Sequence, residues 1–206
     1  MTRDKIIAII ILAIVVIIII YVLFNVKICP TIDKPVVPFT LVKDKLKTGD
    51  VLSIHGCSLL KATVMRNYLG CKATHVGMIV RKPSSMKGLP DELYVLELGP
   101  YGKFPNRNSD VRFRSLEQVM KESCHDVFGL TPIDEELHLS DEDIKEYFKY
   151  KFNYFIPTMF SKYKEYKVCS SFVAKVHEDN GIVNEDSHEM SPCDYYNSEK
   201  TIFFRR

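Results

Sequence analysis

From Ile6 to Phe24 the chain runs through nineteen consecutive apolar or aromatic residues without a charge. A helix of that length rises about 30 Å, the thickness of a bilayer core. It has no polar face, which a helix at the surface of a soluble core would show. Phe24-Asn25-Val26 supplies no small-residue cleavage site, so an uncleaved membrane anchor is expected over residues 1–26, rather than a signal peptide. The expected partner of residues 6–24 is the lipid bilayer.

The pattern then changes. Pro30, Pro35 and Pro38 exclude a helix interior, and residues 27–45 read as a stalk or an edge segment. A folded domain is expected over 46–206. Lys47-Thr48-Gly49-Asp50 reads as a turn into a short apolar strand, Val51–Ile54. Leu59, Leu60, Val64 and Tyr68 recur at helical spacing before Gly70. Strands follow at Val76–Val80, Leu93–Leu98 and Val111–Arg114, with Ser115 capping a short helix. Asp126–Ile133 reads as another strand, and Ser140 with Asp143 opens a helix to about Lys151. Helices and strands mix without strict alternation, which predicts an α+β domain.

Charge narrows the partners. A net charge of +2 over 206 residues leaves no basic footprint for nucleic acid. Six cysteines in a domain of this size do not resemble a dense disulfide scaffold, so reduced thiols are expected. Lys27, Lys34, Lys43, Lys45 and Lys47 outnumber Arg3 and Lys5, which favours a single-pass protein with its C-terminal domain on the cytoplasmic, reducing side.

Chemistry concentrates at three positions. Cys169 opens a helix ended by Gly181 and shares a face with Phe172, Val173 and Val176. A thiol there meets the partial positive charge of the helix N-terminus. His75 begins the strand Thr74–Val80, where an imidazole can take the thiol proton. Glu97 lies between Leu96 and Leu98 on the next strand, where a carboxylate can orient that imidazole. His55, Cys57, Cys71 and His75 form a rival zinc set, but His-x-Cys spacing is unusual for structural zinc and no Cys-x-x-Cys is present. Neither a metal nor a cofactor is expected. His125, His138, His177 and His188 lie among charged residues and read as surface histidines; Cys193 reads as structural.

Several short motifs share an order and spacing: Gly49-Asp50-Val51-Leu52, Thr74-His75-Val76-Gly77-Met78-Ile79-Val80, Val95-Leu96-Glu97, Tyr166-Lys167-Val168-Cys169-Ser170-Ser171-Phe172-Val173 and Ser191-Pro192-Cys193-Asp194. From about Leu46 to Tyr196 the chain resembles the circularly permuted branch of the NlpC-like papain-fold hydrolases. That branch includes bacterial amidase-like proteins, a poxvirus protein and distant relatives of lecithin retinol acyltransferase. Here His precedes Cys, the reverse of ordinary papain-like enzymes. The resemblance implies a permuted papain-like fold, an antiparallel sheet packed with helices, behind one transmembrane helix. It implies Cys169 as nucleophile, His75 as general base and Glu97 as orienting group. Tyr166 departs from the pattern: it stands three residues before the cysteine, where the family tyrosine stands one or two before. The expected activity is a membrane-anchored amidase or peptidase acting on a peptide or isopeptide through an acyl-enzyme. The alternatives are acyl transfer or ester hydrolysis on an acyl-lipid, and a non-catalytic membrane scaffold that keeps the fold.

Overall fold

A computed structural model describes residues 3–25, 29–57, 67, 70–82, 92–99, 110–152, 166–182 and 190–206. The first helix, α1 (Arg3–Asn25), carries the apolar run, and its isoleucines are exposed. By length and composition it is apolar enough to cross a membrane. The expected helix over Leu59–Leu69 lies outside the described residues apart from Asn67.

Among the described residues nine strands follow: β1 (Val36–Pro38), β2 (Val51–Ile54), β3 (His75–Arg81), β4 (Leu93–Leu98), β5 (Val111–Ser115), β6 (Val127–Thr131), β7 (Lys151–Phe152), β8 (Tyr166–Lys167) and β9 (Ile202–Arg205). Seven of them form one sheet in the order β1-β9-β6-β2-β3-β4-β5. All its pairings are antiparallel except β1 with β9. Among the described residues there are four more α-helices, α2 (Leu116–Glu122), α3 (Asp141–Tyr147), α4 (Cys169–Asp179) and α5 (Pro192–Tyr196), and two short 3-10 helices, Phe39–Leu41 and Lys43–Lys45. The architecture is α+β.

The period of two along the strands explains the layering. Val76, Met78, Val80, Tyr94, Leu96 and Leu98 pack with Phe172, Val173 and Val176 of α4. Ile79 and Val95 pack on the opposite side with Leu116, Val119 and Met120 of α2, and with Leu52, Phe128 and Phe204. Both faces of the central strands are therefore covered. That is why β3 and β4 read as nearly continuous apolar runs. Ser140 and Asp143 form the capping box at α3. The helix stops at Tyr147 instead of Lys151, because Lys151 and Phe152 pair with Tyr166 and Lys167.

Two expectations need correction. Packing against the domain begins upstream of Leu46: β1 forms the sheet edge beside β9, and Val42 is buried. Proline tolerates an edge strand, where its missing N–H breaks no ladder. Nor are the cysteines mainly thiols. Cys29 pairs with Cys57, and Cys71 with Cys193. Sequence separations of 28 and 122 residues hid that proximity. With them goes the cysteine argument for a reducing, cytoplasmic side.

Candidate active site

The site forms where the start of α4 meets the start of β3. The N–H of Val168, just before the helix, donates to Ser171 Oγ at 3.0 Å, and Ser170 Oγ donates to the Met190 carbonyl. These bonds fix the helix entry. Cys169 is a buried free thiol there. It is hydrogen-bonded to the His75 side chain and to the backbone N–H groups of Val76 and Ser170.

A diagonal across three strands supports the histidine. Beyond the paired Met78 and Leu96, Gly77 lies beside Glu97: a Cβ on this glycine would stand 3.2 Å from Glu97 Cβ and 2.6 Å from Val95 Cγ1. The missing side chain leaves room for His75, two residues earlier, to reach across. Its Nε2 meets Glu97 Oε2 at 2.9 Å, which leaves Nδ1 as the ring nitrogen for the sulfur. On the other side, Arg114 stands opposite Val95, the diagonal neighbour position to Glu97. Arg114 Nε donates to Glu97 Oε1 at 2.7 Å, and the same guanidinium pairs with Glu122 at the end of α2. Glu97 is fully buried, so both its oxygens are served by charge-assisted partners rather than water.

The electrostatics follow from these contacts. Burial alone raises a thiol and lowers an imidazole. For Cys169 burial is the largest influence, yet the charge and hydrogen bond of His75, with the two backbone N–H groups, bring the thiol below its ordinary value. For His75 burial again acts first and downward, but Cys169 and Glu97 outweigh it and raise the imidazole. The two shifts favour a thiolate–imidazolium pair. A thiolate is the nucleophilic form of cysteine.

Cys169, His75 and Glu97 thus come together as one connected set. Arg114 belongs to the same network and had no assigned role in the sequence reading. Its signal was the alternation Val111-Arg112-Phe113-Arg114, which puts both arginines on one side of a strand next to the Glu97 strand. Tyr195, packed in the same core as Cys169, has a buried hydroxyl with no hydrogen-bond partner among the described residues.

The other candidates disperse. Cys57 and Cys71 belong to different disulfides, so the zinc set His55, Cys57, Cys71 and His75 is not assembled as thiolate ligands. His177 is not a surface residue: it is buried, and its Nε2 donates to the Gly49 carbonyl at 2.8 Å. His125 is half-buried against the Pro30 carbonyl, His138 is exposed, and His188 lies outside the described residues. Among the described residues one cluster has metal-ligand chemistry, Cys29, Cys57 and Cys124, with sulfurs within 4.8 Å of one another. The disulfide occupies two of its three sulfurs.

Neither a protein-family model nor a curated protein sequence matches the chain. In fold it is similar to the crystal structure of the metalloprotein yiiX from Escherichia coli O157:H7, a DUF1105 protein. The TM-score is 0.50 at 15% identity, over 76% of this chain and 95% of that one. Likeness at that identity speaks for the fold alone.

Proposed function

We propose that the protein is a membrane-tethered cysteine hydrolase of the amidase or peptidase type, on a permuted papain-like fold. The observation that carries this reading is the buried Cys169 thiol at a helix N-terminus, bonded to an imidazole whose other nitrogen meets a buried carboxylate. In the reaction, the Cys169 thiolate attacks the carbonyl carbon. The His75 imidazolium gives its proton to the leaving nitrogen as that bond breaks. Neutral His75 then takes a proton from water, the hydroxide attacks the thioester, and Cys169 leaves as thiolate. Glu97 holds the ring orientation and stabilises its charge through both halves of the cycle. Backbone N–H groups at the helix start stabilise the oxyanion.

The tether is α1 inserted in a bilayer as a single pass. The lysine excess after it favours the cytoplasmic side for the domain, whereas two disulfides favour an oxidising side. The disulfides weigh more, because the charge difference is a few residues. Protease protection in sealed vesicles tests the orientation.

A second reading, thiol-dependent acyl transfer on lipid, draws support from the apolar helix α1. The deciding experiment exposes the full chain to a thiol-directed acyl probe at pH 6, then supplies peptide and phospholipid substrates. Labelling lost in Cys169→Ala, with peptide cleavage, is the expected result. Acyl exchange on phospholipid without peptide cleavage shifts the assignment to a transferase. A Cys169 inert toward the probe in the folded protein overturns both and leaves a scaffold.

A further inference from the structure

Outside the Cys169 site, a second free thiol stands beside a disulfide. Cys124 lies exposed in the turn between α2 and β6, and its sulfur is within 4.8 Å of the sulfurs of Cys29 and Cys57. Its S–H donates to the carbonyl of His55, two residues before Cys57, at 3.5 Å. The Cys29 sulfur lies 3.5 Å from the Cys124 carbonyl. Contacts other than the disulfide hold this arrangement. His125 Nε2 donates to the Pro30 carbonyl at 2.9 Å, and Lys72 Nζ donates to the Thr31 carbonyl at 2.6 Å and pairs with Asp33. Cys29 therefore stays beside Cys124 whether or not it is bonded to Cys57. The second disulfide, Cys71–Cys193, is buried among Ala73, Val127, Tyr196 and Phe203. No third sulfur accompanies it among the described residues.

We propose that Cys29, Cys57 and Cys124 form a thiol–disulfide exchange centre. The Cys124 thiol gives its proton to solvent, and the thiolate attacks the sulfur of Cys29, which like Cys124 lies at the surface. The Cys124–Cys29 bond forms as the Cys29–Cys57 bond breaks, and Cys57 leaves as a thiolate that takes up a proton. One disulfide and one thiol are present before and after, so no external oxidant or reductant is consumed. The exchange moves the covalent attachment of the segment following α1 from Cys57, three residues beyond β2, to the α2–β6 turn.

The test uses the full chain in phospholipid nanodiscs, equilibrated at pH 8 in glutathione disulfide, acid-quenched, alkylated and mapped by mass spectrometry without reduction. Wild-type protein should yield a Cys29–Cys124 peptide together with alkylated Cys57, at about a tenth of the chains or more, as expected for bonds of similar stability. Cys57→Ser should convert most chains to Cys29–Cys124, and Cys124→Ser should leave only Cys29–Cys57. The Cys71–Cys193 peptide, intact in every sample, reports that the fold is kept. Two results overturn the proposal. One is Cys29–Cys57 as the sole isomer in wild type, with Cys124 still a free thiol in a folded Cys57→Ser variant. The other is one zinc per chain in protein isolated without chelator, protecting all three cysteines from alkylation, which makes the cluster a metal site instead.

Discussion

The two ends of α4 each meet a histidine, half-buried His75 at the start and buried His177 near the end, and the chemistry of the two differs. At the start, His75 meets a carboxylate and a thiol, and its imidazole is raised. Near the end, His177 donates to a single backbone carbonyl, and its imidazole is lowered, because burial exceeds what the Gly49 hydrogen bond returns. Both rings are removed from much of the solvent, so burial does not separate them. The partner's charge does: a neutral carbonyl favours the imidazolium too little to offset burial, whereas a carboxylate and a thiolate together outweigh it. One end sets an imidazole between a thiol and a carboxylate, and the other fixes the helix to the Gly49 turn.

The sharpest way to break this contrast is at His75. In the wild type, alkylation of Cys169 should fall less steeply from pH 8 to pH 6 than that of an ordinary cysteine, because the thiol is lowered and the imidazole beside it is raised. A cysteine at 9.0 would lose about tenfold per unit over the same range. His75→Ala should reduce the pH 6 rate by about 100-fold or more, since the thiol loses its counter-charge. Unchanged reactivity would sink the pair. The next largest effect should come from Arg114. Arg114→Met removes the guanidinium from the buried Glu97 carboxylate and should cost about 3 kcal/mol in denaturant unfolding. Pairing it with Glu97→Gln should recover part of that stability but not the pH 6 reactivity. Recovery of both would reduce the diagonal to packing.

Gly77→Ala places a Cβ 2.6 Å from Val95 Cγ1 and should destabilise by about 1–3 kcal/mol. It should also flatten the difference in alkylation rate between wild type and His75→Ala, by moving Glu97 off the imidazole. A loss of stability with no change in reactivity would remove Gly77 from the positioning role. The smallest effect belongs to His177. Its folded value lies below 6.5, so the unfolded chain binds the proton more readily. Stability is then intact above about pH 6.5 and falls with acidification, by at most about 1.4 kcal/mol per unit for one proton. His177→Gln, which retains a donor for the Gly49 carbonyl, should reduce that slope in melts between pH 7 and pH 5.

Strand pattern and short motifs made much of this legible. The apolar strands bearing His75 and Glu97, and the helix opened by Cys169, follow from local periodicity, and that is enough to nominate three residues. What remained hidden depends on register. Arg114 reaches Glu97 only because β5 pairs with Val95 opposite it, a relation that no window along the chain contains. The disulfides were invisible for the same reason, and reading cysteine count as redox state then biased the topology argument. His177 misled because its neighbours Glu178 and Asp179 are charged, while the helix turns the ring inward onto Gly49. Flanking charge describes the far side of a helix, not the residue.

Finally, the Cys29–Cys57 bridge has a mechanical consequence. A force applied to α1 enters the folded domain first at Cys29, and the bridge passes it to Cys57, three residues beyond β2 near the middle of the sheet. While the bridge is closed, β1 carries little of that tension. Once it opens, the load reaches β1 directly, where Val36, Val37 and Pro38 lie parallel to Phe203, Phe204 and Arg205. Pulled along their length, those pairings shear together instead of unzipping one by one. The oxidation state of one bond thus selects which strand bears the tension between the first helix and the domain.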